Sequence, residues 1–198
     1  MPVTDLQQVR AVTANYFFWQ GLRWIPIGVA LVFIAATYAN GVALPPALKT
    51  WAMWPLLLVA FWLSTSVLGA YYRRTFGEVQ ADPAQHRRRT WVKWLAVYPA
   101  MLASMVVDIK VALPIVLSGI VWGLSIELYR RSTGGGRPHY ALACVAFILL
   151  GLLPLLDVAP TGKNGVSLLI AVLGVVYIIG GILDHLALVR ILGRRAPR

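Results

Sequence analysis

Asp184 and His185 stand side by side in a run that is otherwise apolar, from Val166 to Ala187. An ionisable side chain inside a membrane-length helix is costly unless it is paired or wetted. Such a pair therefore marks a site for binding, proton handling or gating. Gly181 lies one helical turn before His185 and Tyr177 two turns before Asp184, so this stripe has room for a close neighbour and offers a hydroxyl. Glu127 falls near the end of another apolar run at similar depth, and Arg23 is the basic residue set furthest into the first run. Asp184, His185, Glu127, Arg23 and Tyr177 are thus the candidate ligand- or proton-binding residues. A plainer alternative has Asp184 and Glu127 pairing with Arg73, Arg74, Arg130 or Arg190 to lock helix ends. In that alternative Arg23 snorkels to the headgroups, whereas the sharper reading pairs it with Glu127 or Asp184.

The three histidines, His86, His139 and His185, fall on one side of the predicted topology. His139 opens the fifth apolar run and His185 lies near the end of the sixth, so antiparallel packing would bring them together. Two imidazoles could ligate haem, or hold a divalent metal together with Asp184 or Glu127. No HxxxH, HExxH or CxxC spacing accompanies them, so no metal or cofactor is expected. A proton-sensing His185 beside Asp184 needs less, because small environmental shifts move histidine across neutral pH. Catalytic equipment is sparse: there is no Gly-x-Ser-x-Gly nucleophile turn, and the single cysteine, Cys144, lies in an apolar run where a thiolate is disfavoured. No span carries the pair of carboxylates that an intramembrane hydrolase would need. Enzymatic activity is not expected.

The elements that must position these residues follow from composition. The 198 residues are 59% hydrophobic and only 13% charged, about half the charge of a soluble domain. That excludes a water-soluble globule, a disordered tail and a disulfide-stapled secreted domain. Runs near the roughly 20 apolar residues that cross a bilayer occupy about 17–39, 51–72, 140–158 and 166–187. A longer apolar region is interrupted by Asp108-Ile109-Lys110. Read as a hairpin with its turn at those charges, it supplies spans over 91–107 and 111–128. The expected fold is all-α: one membrane domain over 1–198, a bundle of six transmembrane helices arranged as three hairpins. Thr4-Asp5-Leu6-Gln7 fits a capping box, and residues 1–16 are expected to form an amphipathic helix at the interface.

The net charge of +11 has a simple distribution. Fifteen of the 18 Lys and Arg residues fall on one set of connections and adjoining helix ends, and only Lys49, Lys110 and Lys163 on the other. The positive-inside rule then puts both termini in the cytoplasm and the chain, as a multi-pass protein, in the cytoplasmic (inner) membrane. The aromatic residues do not interleave with the basic ones, so nucleic acid is not an expected partner. Arg73, Arg74, Arg87, Arg88, Arg89, Arg130 and Arg131 form basic loops that can dock anionic lipid or a soluble or membrane partner subunit. Gly119-x-x-x-Gly123 and the pair Gly174 and Gly181 make smooth stripes for close packing, within the chain or in an oligomer. Pro26, Pro55, Pro99, Pro114 and Pro154 are read as kinks of the kind that open a cavity. The expected function is therefore a transport-related or accessory membrane subunit without its own nucleotide-binding domain. The alternative is a membrane sensor or regulator with a pH- or ligand-responsive polar cluster at the cytoplasmic rim.

Overall fold

The computed structural model describes residues 16, 20–38, 53–76, 97–111, 113–132 and 138–193. Among these the secondary structure is wholly helical. Six helices follow one another: α1 (Gly21–Tyr38), α2 (residues 53–76), α3 (Tyr98–Lys110), α4 (Leu117–Ser132), α5 (Pro138–Leu156) and α6 (Gly162–Gly193). Four of them, α1, α2, α5 and α6, are long and apolar enough to cross a membrane. Large apolar side chains point outward on several helices, among them Leu58, Phe61, Leu102 and Leu142. Water would penalise that surface heavily, whereas acyl chains accept it. The interfacial helix expected over 1–16 lies, apart from Tyr16, outside the described residues, as do Arg87, Arg88 and Arg89.

The bundle is held by backbone approach more than by large side chains. α1 and α6 run antiparallel with glycines facing: a Cβ on Gly28 would sit 2.6 Å from the Gly174 carbonyl oxygen, and one on Gly174 would sit 2.6 Å from that of Gly28. Two turns along, a Cβ on Gly181 would lie 2.5 Å from the Gly21 carbonyl oxygen. α4 and α5 meet in the same way, where a Cβ on Gly119 would lie 2.7 Å from Phe147 O and one on Gly123 2.8 Å from Cys144 O. Both glycine stripes seen in the sequence therefore serve packing inside the chain. The tightest pairings are α1 with α6 and α4 with α5, so the bundle's closest contacts do not follow the three sequential hairpins. Trp122, Phe147, Leu169 and Leu173 fill the centre between these pairs.

The turn between α3 and α4 differs from expectation. Asp108-Ile109-Lys110 are not the turn but the last turn of α3, and α4 begins at Leu117. Val111 is extended, and Pro114 disfavours helical backbone at Leu113 before it. The buried Asp108 carboxylate instead reaches across to cap α4, accepting the Leu117 N–H at 2.8 Å, the Ser118 N–H at 2.7 Å and the Ser118 hydroxyl. An aspartate at a helix N-terminus meets unpaired N–H groups and the positive end of the dipole, so burial is offset there. The prolines also differ from expectation. Pro26, Pro55 and Pro99 lie close to helix starts, Pro154 sits in the closing 3-10 turn of α5, and Pro114 lies in a connection. Pro is tolerated at such ends, so they do not break the spans into cavity-forming halves.

Two consequences can be measured by thermal melting of the purified protein in detergent. Gly180→Ala should be neutral or slightly stabilising, because its Cβ meets nothing closer than 3.6 Å and alanine gains up to about 1 kcal/mol of helix propensity. Gly181→Ala, one residue on, should lower the melting temperature by the equivalent of roughly 1–3 kcal/mol as α1 is pushed off α6. Asp108→Ala should cost a similar amount, about 1–3 kcal/mol, by stripping the α4 cap.

Candidate functional site

Every described arginine lies at one end of the bundle: Arg23 in the first turn of α1, Arg73 and Arg74 in the last turn of α2, Arg130 and Arg131 in that of α4, and Arg190 in that of α6. Lys110 and Lys163 lie at the other end, Lys163 with its ammonium 5.8 Å from the Tyr38 ring centroid. Among the described residues, arginines and lysines are thus separated to opposite ends of the bundle.

Asp184 is fully buried at the basic end. Its carboxylate has two neighbours from the first turn of α5: the Tyr140 hydroxyl donates to Oδ2 at 3.0 Å, and His139 Nε2 sits 3.3 Å from Oδ1. The α1 chain passes directly over it, with a Cβ on Gly21 falling 2.8 Å from Asp184 Cβ. Only glycine at Gly21 and Gly181 allows that approach.

His185 looks the other way, towards α2. Its Nδ1 lies 3.0 Å from the hydroxyl of Tyr72, which is fully buried. The same phenol oxygen accepts the Leu22 N–H at 3.1 Å, and the Tyr16 hydroxyl donates to the Tyr72 carbonyl at 3.1 Å. A neutral His185 with its proton on Nε2 satisfies this arrangement, because the phenol proton then goes to Nδ1. Tyr72 thereby ties α1, α2 and α6 together.

Arg23 completes the cluster from α1. Its Nε donates to the Ser64 carbonyl at 3.1 Å and one Nη to Gln20 Oε1 at 2.8 Å. Ser64 belongs to a π-helical turn, Leu63–Val67, in the middle of α2. Such a turn disturbs the regular ladder and lets a side chain reach a backbone carbonyl. Arg23 is half-buried and bonded within the chain, and neither Glu127 nor Asp184 is its ion-pair partner.

Glu127 is separate from this cluster. It is held by two arginines of its own helix, accepting from Arg130 Nε and Nη2 at 2.7 Å each and from Arg131 Nε at 2.7 Å. The helix-end lock weighed for Glu127 is what forms, whereas Asp184 has histidine and tyrosine as neighbours. Tyr177 packs its ring 5.5 Å from that of Trp24, in the apolar core, and the hydroxyl at Asp184 is supplied by Tyr140 instead. The two imidazoles do not converge on one point either, since His139 is directed to Asp184 and His185 to Tyr72. Among the described residues no group of three His, Cys, Asp or Glu side chains is placed to hold a metal ion.

Sequence reasoning missed Tyr72 and Tyr140. Tyr72 sits in Tyr71-Tyr72-Arg73-Arg74, a string that reads as a headgroup anchor, and Tyr140 is hidden beside the more conspicuous His139. Fold and cluster together define an all-helical chain with four membrane-length apolar helices and a buried carboxylate, phenol and imidazole set at its basic end. No known protein family matches the sequence, and neither the curated proteins nor the solved structures contain a match.

Tyr140→Phe should lower the melting temperature by the equivalent of about 1–3 kcal/mol, because it takes a donor from a buried carboxylate. In the double variant Tyr140→Phe with Asp184→Asn the two losses should be clearly less than additive, read from the same melting curves.

Proposed function

We propose that this chain is a membrane sensor or regulator whose basic-end cluster responds to protons. The observation that carries the reading is the seating of Asp184, fully buried between His139 and Tyr140 while its neighbour His185 engages Tyr72. Histidine is the side chain whose charge ordinarily changes between about pH 5 and 8. Protonation of His139 turns its 3.3 Å approach to Asp184 into an ion pair and tightens α5 against α6. Protonation of His185 does the reverse on the α2 side, because Nδ1 can no longer accept the Tyr72 proton. Acidification thus moves α2 and α5 in opposite senses relative to α6. Among the described residues, the other titratable and charged groups facing this cluster are Tyr140 from α5, Tyr71 and Tyr72 from α2, Tyr129 from α4, Tyr16 and, from α1, Arg23.

The transport-subunit reading is less well supported. Its prolines sit mostly near helix ends, and the centre of the bundle is occupied by Trp122, Phe147 and Leu169. We further propose that α3 and α4 cross the bilayer with the other four helices. The basic end then faces the cytoplasm with both termini, in the inner membrane, where its arginines dock anionic lipid or a partner subunit.

The test uses full-length protein in lipid nanodiscs, in a Cys144→Ala background with spin labels at Arg74→Cys on α2 and Leu142→Cys on α5. The distance between labels should change reversibly with a midpoint between about pH 5 and 8. His139→Gln and His185→Gln should each suppress part of the change. A pH-invariant distance, combined with Asp184-dependent solute flux in proteoliposomes, would replace this reading with the transport one.

A further inference from the structure

The π turn of α2 and the doubled residues beyond it belong to one arrangement. Across Leu63–Val67 the backbone takes in one residue more than an α turn holds, and the Leu68 N–H bonds the Leu63 carbonyl, five residues back. In an α-helix its acceptor is the Ser64 carbonyl, four residues back. That carbonyl is the one Arg23 Nε occupies, at 3.1 Å. A guanidinium from α1 therefore holds the acceptor that α2 needs in order to close its ladder. Ser64 is buried, and within a membrane no water is at hand to satisfy an orphaned carbonyl. The Arg23 contact and the π turn thus depend on each other.

The consequence is one of register. Each residue beyond the π turn sits where the residue before it would stand in an unbroken α-helix. If the Leu68 N–H returns to the Ser64 carbonyl, the half of α2 beyond the turn rotates by about 100° and advances by about 1.5 Å. Tyr71 then takes the place of Tyr72, and Arg73 that of Arg74. The string Tyr71-Tyr72-Arg73-Arg74 is doubled, so either register offers a phenol at His185 and a guanidinium two residues further on. Tyr71 is already close, its ring centroid 6.2 Å from that of His185, against 5.7 Å for Tyr72. The π register is the resident one. It gives the Tyr72 phenol both the Leu22 N–H and His185, and it seats Gly69 rather than the larger Leu68 at the buried position beside Arg23. We propose that α2 has two registers against α6, one with Tyr72 and one with Tyr71 at His185, and that the Arg23 contact with Ser64 is the latch selecting the first. The latch stands apart from the proton-responsive reading, because it acts whatever draws Arg23 off the carbonyl.

Deletion of Thr65 separates the latch from its consequence. With that residue gone, Leu68 lies four residues after Leu63, so the same hydrogen bond becomes an α bond. The half of α2 beyond the turn then keeps its present register without a π turn. The full-length protein is studied in lipid nanodiscs, in a Cys144→Ala background with spin labels at Thr75→Cys on α2 and Leu142→Cys on α5, both exposed positions. Arg23→Gln alone should shift the distance between labels by several ångströms as the half-helix rotates. Deletion of Thr65 alone should leave the wild-type distance, and adding the deletion to Arg23→Gln should restore it. An unchanged distance in Arg23→Gln would overturn the latch. So would a shift that the deletion does not restore, which would assign the change to Arg23's other contacts. Should Arg23→Gln fail to fold, the Thr65-deleted chain decides: there Arg23→Gln should fold with the wild-type label distance, and failure there as well would overturn the proposal. Nitrogen NMR of the His185 imidazole gives a second readout. Tyr72→Phe should move its Nδ1 resonance in the wild-type chain and Tyr71→Phe should not, whereas in Arg23→Gln the two substitutions should exchange effects. The wild-type pattern in both chains would count against a second register.

Discussion

A carboxylate closed off inside an apolar bundle must be met by donors from somewhere, and that requirement organises this molecule. Asp184 has no exposed surface, so the desolvation of its charge must be offset by groups brought to it, among them two from another helix. Those groups are on the first turn of α5, which therefore has to lie against α6 at that height. Asp108, also buried, imposes the same condition near the opposite end, where it is satisfied by the N-terminus of α4. One acid fixes α5 to α6 and the other fixes α4 to α3. Each sets the axial register of its helix pair, which apolar side chains sliding over one another in lipid could not do.

Between those two pins, cohesion comes from close approach. Acyl chains are as apolar as leucine, so burying leucine against leucine gains little in a membrane, and backbone contact with good van der Waals fit counts for more. The facing glycines of α1 and α6, and of α4 and α5, supply it. The same contacts determine what the polar groups can reach. Gly21 and Gly181 bring α1 so near α6 that the Leu22 N–H meets the Tyr72 phenol while that phenol still reaches His185. A side chain at either glycine would separate those partners. Packing and the polar cluster are therefore one feature of the structure, read at different positions along α6.

What could be read in advance follows this division. Apolar run length is a property of each segment alone, and among the described residues six helices overlap the six expected runs, with α1, α2, α5 and α6 of membrane length. The gathering of the described arginines at one end also follows from counting, as does the intrusion of Asp184 into α6. Partnerships were a different matter, because they depend on which helices face each other. Glu127 and Asp184 look alike in sequence, each an acid near the end of an apolar run. Yet Glu127 has arginines three and four residues on, within reach on its own helix, and is neutralised locally. Asp184 has no arginine or lysine at those positions and must find its donors in space. The hairpin at Asp108 was misplaced for a related reason. Charges in an apolar stretch suggest a wet turn, but a helix N-terminus just beyond is as good a solvent for a carboxylate.

The adjacency of Asp184 and His185 gives α6 its particular character. Consecutive residues on a helix point about 100° apart, so neighbours in sequence address different partners. Here the carboxylate addresses α5 and the imidazole addresses α2, from a single turn of the same rod. A proton gained by either histidine changes the balance on one side of that turn without directly altering the other. The helix that carries them is also the one packed most closely on α1, which brings Arg23 and the Ser64 carbonyl of the π turn into the same layer. The π turn, Leu63–Val67, is where α2 departs from regular α-helical geometry in this layer. Charge state at the α6 turn and the irregularity in α2 are thus linked through Tyr72. That phenol connects the most closely held helix in the bundle to the one that carries the π turn.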